Sequence, residues 1–232
     1  MNLRNMKLSV NDSPGDLKVV PRTVQSEIVD KLRNAILMGK FKPGTRLAEA
    51  MLCELMSVSR TSIREALRRL EGEKIITIIA NKGPSVARIE WNDAKAIYEV
   101  RALLEGEAAA RCASRATSAD ICAMQSALRA FNEAIVTDDA PGRVTATNDF
   151  YQAILRGGAN SVIGEVLQSL NGRINFLRFQ SMARPGRSKH SATEMRRILT
   201  AIEKGDFAAA RQAAVAHVEA ACDAVKVFYQ DE

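Results

Sequence analysis

The chain has 232 residues, 47% of them hydrophobic, and a formal net charge of +6 at pH 7. This length suits two small domains with ordinary globular cores. No apolar run approaches the roughly 20 residues that a membrane-spanning helix needs, and we find no secretory signal, so we expect no membrane partner. The four cysteines form no CxxC pair, which argues against a zinc finger or a disulfide framework and favours a reducing cytoplasm.

The basic charge is concentrated in the N-terminal part of the chain. Residues 1–90 carry 16 lysines and arginines against 10 aspartates and glutamates, whereas residues 91–232 carry 17 of each kind. The whole excess therefore falls in the first part. A basic excess confined to one domain is typical of a protein that binds a polyanion.

The first 21 residues are polar and interrupted by proline and glycine, and we expect a flexible arm there. A domain over residues 22–90 follows, and apolar residues at helical spacing predict three helices in it, over roughly 24–38, 48–56 and 60–72. Thr23 and Ser59 are natural N-caps of the first and third helices. In the second helix, Leu52 and Leu55 are expected to face inward.

A β-hairpin is predicted after the third helix. Short apolar runs at 75–79 and 85–89 flank the turn residues Asn81-Lys82-Gly83-Pro84. Two helices joined by a tight turn and followed by a hairpin give the order of a winged helix-turn-helix. Lys82 and Gly83 at the hairpin tip form a small basic element that fits a DNA minor groove.

Residues 91–232 are alanine-rich and balanced in charge, and no strand-like alternation occurs after residue 89. We predict six helices, over roughly 93–115, 119–137, 142–156, 161–182, 191–204 and 206–229. The expected fold is therefore mainly α, with an N-terminal winged helix-turn-helix and a C-terminal six-helix antiparallel bundle.

The third predicted helix carries candidate DNA-reading residues. Arg60, Thr61 and Arg64 avoid its buried stripe and crowd its N-terminus, the end that enters the major groove. An arginine can hold guanine O6 and N7 through two hydrogen bonds, and Ser59 and Thr61 suit phosphate oxygens. The alternative is a solvated face in which the arginines of this helix pair with Glu65 and Glu71, and it stays open above all for Arg68 and Arg69.

The stretch from Ala35 to Val86 resembles the N-terminal domain of GntR-family regulators. The elements PG-x-x-L, E-x-x-L, VSRT-x-x-REAL-RRLE and KG-x-x-V follow one another in order. Ser62 stands where proline is common in the family, and Ala50 replaces a polar or basic residue. The resemblance implies a domain that binds double-stranded DNA.

The remainder of the chain resembles FadR C-terminal-type (FCD) effector domains. The sequences VRALLE, DFY ahead of GGAN, and ILTAIEKGD carry the resemblance, together with a later histidine, His217. Six helices rather than seven indicate the shorter, VanR-like branch. The resemblance implies a domain that binds a small effector and forms a homodimer, and twofold symmetry in turn matches a palindromic operator.

Many FCD domains bind a metal through one aspartate and three histidines. Matched position by position, the aspartate is replaced by Thr147, the first histidine by Tyr151 and the second by Met195, so that only His217 remains. A single imidazole cannot hold a divalent ion usefully, and we expect no metal in that site and no cofactor.

Two residues near the matched positions, Asp149 and His190, leave a shifted metal site open as an alternative. For His217, two interpretations also stay open. It is either a core histidine that is hydrogen-bonded inside the bundle, or a contact to an organic effector.

Without a metal, we expect the effector pocket to be lined from several helices, by Arg101, Thr147, Tyr151, Arg173, Met195 and His217. Arg101 offers a forked set of donors for a carboxylate, so the predicted ligand is mostly organic with at least one acidic group. Arg101 could instead pair with Glu105, one helical turn further on.

The leading hypothesis is a ligand-responsive transcription regulator, a repressor acting as a homodimer on a palindromic operator. A DNA-binding regulator with no small-molecule effector is one alternative, and a metal-dependent FCD regulator is another. We do not expect an enzyme, because the chain offers two histidines, no Ser-His-Asp set that can be placed and no phosphate-binding glycine loop.

Overall fold

The computed structural model describes residues 24–79 and 82–229. The predicted N-terminal arm, Thr23 and Asn81 lie outside these described residues. Buried apolar side chains fall into two clusters, one formed by residues up to Val86 and one by residues from Ala94 onward. We call the first part the head (described residues up to 90) and the second the bundle (from residue 91).

Three helices and a hairpin form the head, and the helix predictions agree with the structure to within one residue at each end. The helices are α1 (Val24–Leu37), α2 (Glu49–Met56) and α3 (Arg60–Gly72). Leu52 packs into the head core, but Leu55 is 68% exposed, so its predicted inward position is wrong. A helix of eight residues offers a narrow packing edge, and Leu52 occupies it.

The hairpin consists of β1 (Ile76–Ile79) and β2 (Gly83–Val86), which pair antiparallel with Ile79 opposite Gly83. The second strand begins and ends earlier than the predicted 85–89. The segment between α1 and α2 explains the shift, because it pairs with the far edge of β2 through Leu47 N–H to Pro84 O (2.8 Å) and Val86 N–H to Thr45 O (2.9 Å).

The six predicted bundle helices are all present. They are α4 (Trp91–Arg115), α5 (Ser118–Val136), α6 (Ala140–Gly158), α7 (Ser161–Ala183), α8 (Arg187–Glu203) and α9 (Phe207–Lys226), followed by a short 3₁₀ turn at Val227–Tyr229. Long contacts join α4 to α9 and α5 to α6. The predicted fold class is thereby confirmed. None of the described helices is both long and apolar enough to cross a membrane.

The head and the bundle meet where α7 packs against α1 and against the end of α3. Gly172 of α7 approaches the backbone of Glu73, just after α3. Within the bundle, at the start of α4, the Trp91 ring lies 5.5 Å from the ring of Tyr229, measured between centroids. A cleft of about 630 Å³ lies between the two parts, lined by residues of α1 and α3 on one side and of α6 and α7 on the other.

Candidate functional site

The N-terminus of α3 presents a polar, exposed surface. Ser59 caps the helix as predicted, because its hydroxyl accepts the backbone N–H of Ser62 at 3.2 Å. Arg60, Thr61 and Arg64 are all exposed. The surface thus combines two arginines, two hydroxyls and the positive end of a helix dipole, a combination suited to a polyanion.

Arg64 is held by α2 rather than by its own helix. Its Nε atom donates to both carboxylate oxygens of Glu49, at 3.0 and 2.9 Å. Nearby, Arg33 of α1 pairs with Glu73, and Glu71 accepts the N–H of Ile78. Among the described residues no ion pair joins the arginines of α3 to Glu65 or Glu71, and Arg64 pairs with Glu49 instead; the role of this exposed face stays a prediction.

The hairpin tip lies beside a basic residue that the sequence analysis missed. Lys82 is exposed, and Gly83 has a φ of +79°, a backbone conformation that glycine adopts without strain. A Cβ atom at Gly83 would lie 3.9 Å from the guanidinium of Arg46. Arg46 therefore adds a positive charge to the wing, although it precedes it by more than 30 residues.

Inside the bundle, two arginines face one glutamate. Arg101 is fully buried and donates through Nε to Glu105 at 2.8 Å and through Nη2 at 3.4 Å. Arg178 of α7, 5% exposed, reaches the same carboxylate at 3.7 Å. The predicted alternative, a bridge from Arg101 to Glu105, is therefore present, but the second guanidinium leaves the group with an excess positive charge.

The two buried arginines have pKa values shifted in opposite directions. Burial, and then the charge of Arg101, lower the pKa of Arg178 to about 10. Burial is the largest single effect on Arg101 and lowers its pKa, but the charge and hydrogen bond of Glu105 together with Tyr98 and Tyr151 outweigh it, so that the pKa of Arg101 is raised. Arg178 is therefore the less satisfied of the two cations.

Several donors in this cluster have no partner. Arg101 Nη1, Arg178 Nε and Tyr98 Oη are buried and make no hydrogen bond. Arg178 does donate through Nη1 to the side-chain oxygens of Asn148 and Asn175, and its guanidinium lies 5.1 Å from the centroid of the Tyr151 ring. Leaving a buried donor unpaired costs about 1–3 kcal/mol, so the arrangement favours a ligand that brings acceptors.

His217 belongs to a second chain of polar groups next to the cluster. Its Nδ1 lies 2.7 Å from Glu194 Oε2, and the same carboxylate accepts two bonds from Arg187, at 3.1 and 2.8 Å. Its ring stacks against Tyr151 at 6.1 Å between centroids. Burial lowers the pKa of His217, although the bond to Glu194 opposes the change. Both predicted roles of His217 are compatible with this geometry.

The other predicted pocket residues, Thr147, Met195 and Arg173, do not all lie in the same place. Thr147 and Met195 are fully buried, and the Thr147 hydroxyl donates a hydrogen bond to the Arg143 carbonyl at 2.8 Å. Arg173 is not brought to the cluster. It lines a separate cavity of about 410 Å³ at the base of the wing, together with Lys74 and Asp93, because it lies on another side of α7 than Arg178.

No group of three metal-binding side chains occurs within residues 24–79 and 82–229. Asp149 and His190, which left a shifted site open, are both exposed, whereas His217 is buried. His190 lies at the rim of a surface pocket near Arg187, and the structure does not bring it into contact with His217.

Comparison with known proteins follows the division into head and bundle. The family model described as "Bacterial regulatory proteins, gntR family" matches residues 24–86, and the model described as "FCD domain" matches residues 96–220. The second match alone covers more than half of the chain. The chain belongs to the GntR family of bacterial regulators and carries an FCD domain. It is a transcription regulator with a DNA-binding head, not an enzyme.

The chain is similar to other transcription regulators over most of its length. It is 34% identical over 214 residues to the galactonate operon transcriptional repressor of Escherichia coli K12, covering 81% of this chain and 90% of that protein. It is 27% identical over 207 residues to the HTH-type transcriptional regulator YdhC of Bacillus subtilis, covering 89% and 92%. The solved structure of E. coli McbR/YncC has the same fold, with a TM-score of 0.74, 20% identity, and coverage of 90% and 99%.

Proposed function

We propose that this regulator reads a palindromic operator as a homodimer in the cytoplasm, and that a small carboxylate-bearing metabolite bound in the bundle changes its affinity for DNA. We further propose that it acts as a repressor. The name of one relative, the galactonate operon transcriptional repressor, supports repression rather than activation. Galactonate is itself a carboxylate.

The proposed DNA contacts are Ser59, Arg60, Thr61 and Arg64 in the major groove, with Lys82 and Gly83 in the adjacent minor groove. Exposure of the α3 N-terminus supports the first group, because a recognition helix enters the groove by that end. The Glu49–Arg64 pair supports a base-reading role, since it fixes the plane of a guanidinium whose second edge can still donate in parallel to guanine.

One observation carries the proposed effector class. In the bundle, two guanidiniums that are buried to 95% or more face a single carboxylate, and donors on both arginines lack partners. A buried charge is costly unless it is paired. A second carboxylate would neutralise the cluster and satisfy those donors, so we propose Arg101, Arg178 and the Tyr151–His217 pair as its contacts. Thr147 and Met195 would form the apolar floor.

The route to this cluster is proposed to be the cleft between head and bundle. Asn148 and Asn175 line that cleft, and both accept hydrogen bonds from Arg178 on their inner side. A ligand carboxylate that enters there would reach Arg178 by displacing one asparagine oxygen.

Matched ligand pairs test the proposal. The thermal midpoint of the full chain is measured with a panel of small organic acids and with the primary amide of each acid, with and without EDTA. We expect at least one acid to raise the midpoint while its amide does not, and Arg178→Met to abolish the rise. If amides stabilise as well as acids, the carboxylate class is wrong. If no compound acts, a regulator without an effector is favoured, and stabilisation by Zn²⁺ or Ni²⁺ that EDTA reverses would favour a metal-dependent one.

A further inference from the structure

The bundle approaches the backbone of the head at Gly172. A Cβ atom placed there would lie 2.6 Å from the carbonyl oxygen of Glu73, 2.9 Å from Cγ1 of Ile75 and 3.1 Å from Cβ of Glu73. Distances under 3.0 Å are too short for a real Cβ atom. The contact therefore exists because residue 172 has no side chain.

The head side of this contact is rigidly tied to the helices of the head. Glu73 directly follows α3, and its carboxylate receives two hydrogen bonds from Arg33 of α1, at 2.8 and 2.6 Å. The next turn is closed by Ile75 N–H to Leu70 O (3.0 Å), and Ile75 is buried in the head core. A displacement at Glu73 is therefore passed to α3 and α1 together.

The bundle side of the contact leads to the buried arginines. Residues three or four apart on a helix are neighbours on its surface, and Gly172, Asn175 and Arg178 follow one another in steps of three residues along α7. Asn175 is 7% exposed and accepts a bond from Arg178 at 3.5 Å. Successive neighbours along α7 thus join the Glu105 cluster to the end of the proposed recognition helix.

The neighbourhood of the contact leaves room for movement. The cleft of about 630 Å³ is lined by Gly172 and Glu73 themselves, and by Asn148 and Asn175 of the bundle. Because the cleft lies beside the contact, α7 can shift against the head without first breaking a packed apolar core.

We infer that the Gly172–Glu73 contact is the joint through which the buried arginine cluster acts on α3. A change at Arg178 shifts or rotates α7, and the absence of a side chain at residue 172 lets that shift reach the carbonyl of Glu73 directly. This inference rests on the proposed function, because it describes how occupancy of the bundle site would regulate the head.

A double-mutant cycle tests the joint without any effector. Arg178→Lys perturbs the cluster while keeping its charge, and Gly172→Ala places a methyl group against Glu73. Gly164→Ala is the matched control, since it makes the same change in the same helix where a Cβ atom meets nothing within 4 Å. The probe is a DNA duplex selected from a random library by the wild-type protein.

We expect Arg178→Lys to change the Kd for this duplex by at least about fivefold in the wild-type and Gly164→Ala backgrounds, the usual lower range of coupling between sites. In the Gly172→Ala background we expect less than a twofold change. Equal changes in all three backgrounds, or no change in the wild-type background, would overturn the inference.

Hydrogen exchange gives a second measurement that does not depend on DNA. Amide exchange of residues 70–79 is compared with that of α5 in the same samples, so that a general loss of stability cancels. Arg178→Lys should speed exchange at 70–79 relative to α5 only where Gly172 is intact. These measurements use no ligand, so a negative result here does not bear on the proposed carboxylate effector. A negative result in the comparison of acids with amides likewise does not bear on the Gly172–Glu73 contact.

Discussion

Replacing Glu105 by glutamine removes the carboxylate that pairs with both Arg101 and Arg178 while keeping nearly the same shape. Two guanidiniums, 0% and 5% exposed, would then face each other without a counter-charge. Removing one partner of a buried ion pair typically costs about 3–5 kcal/mol. We therefore expect the free energy of unfolding to fall by about 3–5 kcal/mol, measured by urea denaturation at pH 7.

Glu107→Gln is the matched control for this variant. Glu107 lies two residues further along α4 and pairs with Arg211, but both side chains are about half exposed. An exposed pair contributes about 0–1 kcal/mol, so this variant should be close to the wild type. If Glu105→Gln costs no more than Glu107→Gln, the buried arginines are not strained by their charge, and the main support for a carboxylate effector is lost.

Three further outcomes are expected. Arg64→Ala should weaken binding to the selected duplex by about 1–3 kcal/mol and relax base preference, whereas Arg68→Ala should leave that preference unchanged in the same binding assay. Gly83→Ala should weaken DNA binding without lowering the thermal midpoint of the bundle, because the left-handed backbone at the wing tip is strained by a side chain. Because burial lowers the pKa of His217, the free energy of unfolding should fall as pH drops below about 6.5, by up to about 1.4 kcal/mol per unit, and His217→Gln should show a shallower slope in urea titrations between pH 7 and 5.

Much of the head could be predicted from sequence because its signals are local. The apolar spacing of α1 and α3, the Ser59 cap and the turn residues of the wing each act within a few positions of the chain. The failure at Leu55 has a different origin. The neighbouring elements of the fold decide which side of a short amphipathic helix is buried, and the spacing of apolar residues alone does not identify those neighbours.

The candidate site was less predictable because its members are distant in sequence. Arg101 was predicted because its guanidinium can bind a carboxylate, but Arg178 was missed and Arg173 was chosen instead. Only the rotation of α7 against the bundle decides which of two arginines five residues apart faces the centre. Glu194, which contacts the ring of His217, was not among the predicted pocket residues, although it directly precedes Met195, which was.

The contact between Trp91 and Tyr229 has a practical consequence. Trp91 is the single tryptophan of the chain and stands at the first residue of α4, where the head ends and the bundle begins. Its half-buried indole rests against the last described turn of the chain. The protein therefore carries one intrinsic fluorophore at the first residue of the bundle, and the emission of this residue can report, without labelling, whether the two ends of the bundle stay packed against each other.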